Sequence, residues 1–92
     1  MVVIINEDMV TNVEEYLPLA KAFAEDAVKN DKGCISMEVL VDENTPGKVL
    51  YLSHFETEED FKNHAQGDTF KKHVEGLGKY FISAKDYVFK QA

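Results

Sequence analysis

Val2, Val3, Ile4 and Ile5 open the chain as an unbroken β-branched run, the pattern of a strand buried on both faces, and the reading covers residues 1–6. The period then changes. Val13, Tyr16, Leu17, Ala20, Phe23, Ala24 and Ala27 recur every three or four residues, one apolar stripe on a helix reaching about Asn30. Thr11 with Glu14 three residues on fits a capping box at its start. Pro18 lacks an amide and predicts a kink or a delayed regular helix. Gly33, next to Lys32, is free to take the left-handed conformation where the helix ends.

From Cys34 to Val41 the period is two, with Ile35, Met37, Val39 and Val41 predicted on one face and Ser36 and Glu38 on the other. Residues 42–47 end in Pro46-Gly47, the order a type II turn requires, so Lys48 to Phe55 returns as the second arm of a hairpin. That strand is apolar on both faces, with Val49, Tyr51 and Phe55 opposite Leu50 and Leu52. Thr57 caps a short helix through Ala65, Gly67 breaks it, and Asp68 caps a second short turn through Phe70, Val74 and Leu77. A last strand runs from about Tyr80 to Phe89, with Phe81, Tyr87 and Phe89 against Tyr80, Ile82 and Val88. The order β-α-β-β-α-β predicts an α+β ferredoxin-like plait, a four-stranded antiparallel sheet with its helices on one face. The usual strand order 4-1-3-2 places the two most apolar strands at the centre.

Helices on one face leave the other bare, although three strands carry large apolar residues on both sides. A contiguous patch of that kind predicts a homodimer, sheet against sheet about a two-fold axis.

Composition narrows the functional classes. The chain has 92 residues, 45% hydrophobic and 29% charged, which suits one domain. Its net charge is −7, and every base is a lysine, so a phosphate-gripping, nucleic-acid-binding surface is not expected. One cysteine, Cys34, rules out an internal disulfide and a multi-cysteine zinc site, and reads as a small buried hydrophobe. His54, His64 and His73 match no local metal-ligand spacing, so no metal is expected. The first residues do not read as a signal peptide and no apolar run could span a membrane; a cytoplasmic protein is expected.

His64, three residues after Phe61, shares that residue's core-facing side and could take a proton from a phenol near neutral pH. The competing reading is a half-buried histidine donating to a carbonyl. Asn6, ending a buried strand, could hold a substrate or oxygen-derived oxygen, or could simply bond local backbone. Tyr51, Phe55, Phe61 and Phe70 could wall a slot for a planar ring, or be core.

Several landmarks fall in a fixed order: Gly33-Cys34-Ile35-Ser36, Pro46-Gly47, the aromatic Phe55, the acidic helix start Glu58-Glu59-Asp60, His64, and Phe70-Lys71. Over nearly the whole chain this resembles the antibiotic biosynthesis monooxygenase family. The resemblance implies a dimeric α+β barrel with a pocket between helices and sheet in each subunit, and, in some members, oxidation of phenols or quinols by O2 with no cofactor. His64 falls where the family tends to carry histidine. Phe55 stands where a tryptophan is common, and the position of the haem-degrading branch's histidine falls on Val74, with His73 one residue early, so haem degradation is not expected. The expected activity is a cofactor-independent monooxygenase acting on a small aromatic; the alternative is a non-catalytic ligand-binding or regulatory dimer.

Overall fold

The computed structural model describes all 92 residues, Met1–Ala92. The elements are β1 (Val2–Val10), α1 (Val13–Asn30), β2 (Cys34–Val41), β3 (Lys48–Phe55), α2 (Glu58–Ala65), α3 (Asp68–Gly78) and β4 (Phe81–Lys90). The four strands form one antiparallel sheet in the order β2-β3-β1-β4, so β1 and β3 are central, as the ferredoxin-like plait requires.

β1 runs four residues beyond its expected end. Alternation therefore carries Asn6 and Asp8 onto the same face as Val2, Ile4 and Val10, which are buried beneath the helices. The cap of α1 is Asn12 and not Thr11: the Asn12 side chain accepts the Glu15 amide at 3.1 Å, whereas the Thr11 amide bonds Tyr80. α1 runs unbroken through Pro18, which lies exposed on its outer face, where water can serve the carbonyl left without an amide. The predicted apolar stripe is the buried stripe, with Tyr16, Ala20, Phe23, Ala24 and Ala27 in the core.

Gly33 takes φ +76°, beyond the helix end at Asp31, and a methyl group there would collide with the Asp60 side chain. Gly47, at φ +88°, closes the type II turn, in which the Lys48 amide reaches the Thr45 carbonyl at 3.1 Å.

Two bulges displace side chains from the faces that simple alternation assigns. Between Cys34 and Ser36 the β2–β3 register shifts by one residue, so Cys34 turns inward opposite Phe55 and Ile35 is left 45% exposed. Between Met9 and Val10 the β1–β4 register shifts in the same way. Phe81, opposite buried Val10, thus comes to the helix side, while Tyr87 and Phe89 lie opposite Ile5 and Val3 on the far side. Thr57 caps α2 as expected, accepting the Asp60 amide at 3.0 Å. The expected short turn after Gly67 is a full helix, α3, with Gly67 at its cap and Asp68 already inside. No helix is long and apolar enough to cross a membrane.

The core has two parts under the helices. One gathers Val10, Tyr16, Ala20, Phe23, Val49 and Tyr51; the other Val2, Ile4, Ala27, Cys34 and Phe55. The side groups of α2 and α3 close over the first part incompletely, and that gap is the site.

Candidate active site

A cavity of about 440 Å³ lies between the sheet and the α1/α3 layer. Its aromatic wall is Tyr16, Phe23, Tyr51, Phe61, Phe70 and Phe81, and its polar side chains are Asn6, Asp8, His64 and Asp86. Of the residues singled out from sequence, Asn6, His64, Tyr51, Phe61 and Phe70 meet here. Phe55 does not. It is fully buried one layer deeper, its ring 5.5 Å from Phe61 and 5.2 Å from the His64 imidazole, so it supports the wall without forming it.

His64 is 7% exposed and held by three aromatic rings, Phe23, Phe55 and Phe61. Its Nδ1 lies 2.5 Å from Asp31 Oδ2. Asp31 is itself fixed twice: its amide bonds the Ala27 carbonyl at the end of α1, and its Oδ1 accepts the Thr69 hydroxyl of α3 at 2.6 Å. One carboxylate thus ties three helices together and keeps the imidazole proton on Nδ1. Nε2 has no protein partner, which leaves it available as a proton acceptor on the cavity wall.

At the sheet end, Tyr16 Oη donates to Asp8 Oδ2 at 3.4 Å and lies 2.5 Å from Tyr51 Oη. Because the Tyr16 proton is directed at Asp8, the Tyr51 hydroxyl must donate to Tyr16, and the order is Tyr51 to Tyr16 to Asp8. Burial and the neighbouring Asp86 charge push the Asp8 carboxyl up to about 6, although the Tyr16 hydroxyl pulls the other way. Burial pushes Tyr16 up to about 12 and Tyr51 higher still, so both remain protonated phenols. The Asn6 side-chain amide donates to Asp86 Oδ1 at 2.6 Å, a contact across β1 and β4.

Tyr16, Asp8, Asp31, Thr69 and Asp86 were not singled out from sequence. For Asp8 a signal existed: Val2, Ile4, Asn6, Asp8 and Val10 alternate, which places two polar side chains on a buried face. Tyr16 read as plain stripe, and nothing local relates Asp31 to His64.

The other histidines lie elsewhere. His73 Nε2 meets Asp26 of α1 at 2.7 Å, and with Lys72 it holds that carboxyl below its usual range, while Val74 faces the cavity. The ring at the position next to Val74 therefore does point away from the site. His54 bonds Ser36 on the sheet face away from the helices. No three His, Cys, Asp or Glu side chains gather as a metal-binding group. Cys34 is buried, and burial, aided by Asp31, pushes its thiol up to about 11, which agrees with a packing role.

The class this defines is a ferredoxin-like α+β domain with an aromatic cavity between its helices and its sheet. The chain belongs to the antibiotic biosynthesis monooxygenase family, whose family model matches residues 1–76. Among solved structures it is similar to a Caulobacter crescentus CB15 protein assigned to that family, with TM-score 0.90 and 15% identity over 99% of this chain and 89% of that one. A conserved Methanosarcina mazei Go1 protein gives TM-score 0.85 and 19% identity over 99% of this chain and 92% of that one. SnoaB, a cofactor-independent oxygenase from Streptomyces nogalater, gives TM-score 0.85 and 13% identity, also over 99% and 92%. At these identities the likeness is one of fold. No curated protein matches the chain.

Proposed function

We propose that this protein is a cofactor-independent monooxygenase that oxidises a small electron-rich aromatic, a quinol or polyphenol, with O2. One observation carries the reading: a histidine nitrogen without a protein partner, backed by a carboxylate and set in an aromatic-lined cavity. In this scheme Nε2 of His64 takes the proton of a ring hydroxyl, and Asp31 stabilises the imidazolium that forms. The phenolate passes one electron to O2, and the radical pair combines into a carbon–oxygen bond. The resulting hydroperoxide loses water to leave a carbonyl. One oxygen atom enters the product and the other leaves as water, the ring supplying all four electrons. In this reading Asn6, which lines the cavity, holds a substrate or oxygen-derived oxygen. An aromatic-lined slot also suits a flat ring.

The same reading includes a homodimer. Register places Leu52, Ile5 and Tyr87 in one row across the face without helices, and Val3 beside Phe89 in the next. No element of the chain covers them, and a second sheet would.

The test is O2 consumption by metal-free protein with a set of quinols. Turnover in the parent and a fall of about 10²- to 10⁴-fold in His64→Ala, with unchanged melting, supports the assignment. Equal rates in variant and parent remove His64 from the mechanism.

A further inference from the structure

The oxidation proposed above releases two protons from two different atoms. One leaves the ring hydroxyl, in the plane of the ring. The other leaves the ring carbon that has gained oxygen. That carbon is tetrahedral in the hydroperoxide, so its C–H bond stands out of the plane. A base placed at the ring edge for the hydroxyl does not meet it.

The cavity holds a second acceptor on a different wall. His64 belongs to α2, whereas Asp8 belongs to β1 in the sheet. Asp8 is half-buried; its Oδ2 accepts the Tyr16 hydroxyl and its Oδ1 has no protein partner. It follows Asn6 by two residues on the same face of β1, about 7 Å along the strand. The Asn6 amide gives one N–H to Asp86 and keeps the other. A donor for a peroxide oxygen thus stands beside an acceptor for a proton. The remaining polar groups of the wall do not serve as that acceptor. Burial keeps Tyr16 and Tyr51 protonated, and Asp86 is exposed, with one oxygen already engaged by Asn6.

We infer that Asp8 is a second catalytic base, which takes the proton from the ring carbon once that carbon bears the hydroperoxide. This rests on the reading of the cavity as an oxygenase site. As the proton passes to the carboxylate, the C–H electron pair becomes the second bond of a carbonyl, the O–O bond breaks and hydroxide leaves. The hydroxide takes the proton from Asp8 and departs as water, which restores the carboxylate. Burial and the Asp86 charge push the Asp8 carboxyl up to about 6, so it is ionised at neutral pH and more basic than an ordinary carboxylate.

The assignment has a consequence for the products. With Asp8 active, a hydroquinone becomes a hydroxyquinone and water. Without it, the hydroperoxide of a hydroquinone has another exit: the C–O bond breaks, the hydroperoxide anion leaves, and the proton of the remaining ring hydroxyl joins it. The products are then the unsubstituted quinone and H2O2, with the C–H bond intact. Asp8 therefore decides the split between the two outcomes, and His64 the rate at which the hydroperoxide forms.

The experiment is a single turnover at pH 8, with Asp8 ionised and protein in excess. The substrate is 1,4-naphthohydroquinone with hydrogen or deuterium at C2 and C3. The readout is the ratio of 2-hydroxy-1,4-naphthoquinone to H2O2, after subtraction of the reaction in buffer. Asp8→Asn should lower that ratio at least about tenfold, and deuterium should lower it further in the variant than in the parent. Asp8→Glu, which keeps a carboxylate, should recover part of it. The parent supplies a second readout: its ratio should fall as pH drops through about 6, a step that Asp8→Asn lacks. Asp86 of β4, Tyr16 of α1 and, through Tyr16, Tyr51 of β3 bear on that step, and His64 is the one titratable group that α2 and α3 bring to the cavity. The parent's ratio in folded Asp8→Asn overturns the inference, as does an equal fall in His64→Ala or a parent ratio that is flat across pH 5–8. The oxygenase reading fails separately: no O2 uptake by the parent ends both, whereas uptake with a ratio that Asp8 does not move ends the second base alone.

Discussion

His64 Nδ1 meets Asp31 Oδ2 at 2.5 Å, joining the end of α1 to α2 across a gap of 33 residues in sequence. The carboxylate orients the ring and stabilises its protonated form without touching a ligand, which makes Asp31 a positioning residue. Asp31→Asn should lower kcat at least about tenfold with little change in KM. Thr69→Val, which frees one carboxylate oxygen, should do the same more weakly. An unchanged kcat in a folded Asp31→Asn protein would show that the pair only holds the helices together.

Gly33 and Asp60 form a second close relationship, and a structural one. An alanine at position 33 must hold φ near +76° and place its methyl group within the Asp60 carboxylate. The left-handed backbone costs about 1–2 kcal/mol and the overpacking about 1–3 kcal/mol more. Gly33→Ala should lose about 3 kcal/mol in urea denaturation. The double variant with Asp60→Ala should recover the steric part alone. Full recovery would mean that the backbone angle contributes nothing.

The architecture was legible because periodicity reports which side of an element meets the core. The α1 stripe, the Pro46-Gly47 turn and the two-sided apolar character of β3 all hold. What failed was alternation across bulges: one inserted residue moved Ile35 outward and another brought Phe81 to the helix side of the sheet, and no local signal marks either bulge. The histidine, the asparagine and three of the four aromatics picked for the pocket do share a cavity. Phe55 lies a layer below because its strand is central and covered by α2, where an aromatic packs against the back of the wall. Asp31, Thr69 and Tyr16 gain meaning only from tertiary neighbours, which sequence spacing does not encode.

Asp8 links site chemistry to stability. Its carboxyl is pushed up from 3.8 to about 6 in the folded chain, chiefly by burial and then by Asp86. For an acid raised on folding, the native state holds the proton more tightly than the unfolded state. The native advantage is complete below about pH 4 and is lost as pH rises through about 6. After discount for partial solvent access, the cost of ionised Asp8 at pH 7 is about 1–2 kcal/mol. Asp8→Asn should therefore be more stable than the parent by that amount at pH 7. The advantage should vanish near pH 4 in urea unfolding at several pH values. A constant difference between the two proteins across pH 4–8 would remove Asp8 as its source.

The bare sheet face yields the remaining prediction. Leu52 stands opposite Ile5, and Tyr87 flanks Ile5 on its other side, so an apolar row crosses β3, β1 and β4 with solvent above it. In a sheet-to-sheet dimer that row is central, and two copies of a carboxylate placed there would be buried facing each other. Desolvation and mutual repulsion of unpaired charges cost several kcal/mol, enough to exceed the free energy of a micromolar association constant when added on both sides. Leu52→Asp should sediment as a monomer where the parent is a dimer at tens of micromolar. The substitution faces away from the helices, so the α1 core and the cavity should remain intact and the far-ultraviolet dichroism unchanged. A parent that sediments as a monomer would overturn the pairing and leave the apolar row without a partner.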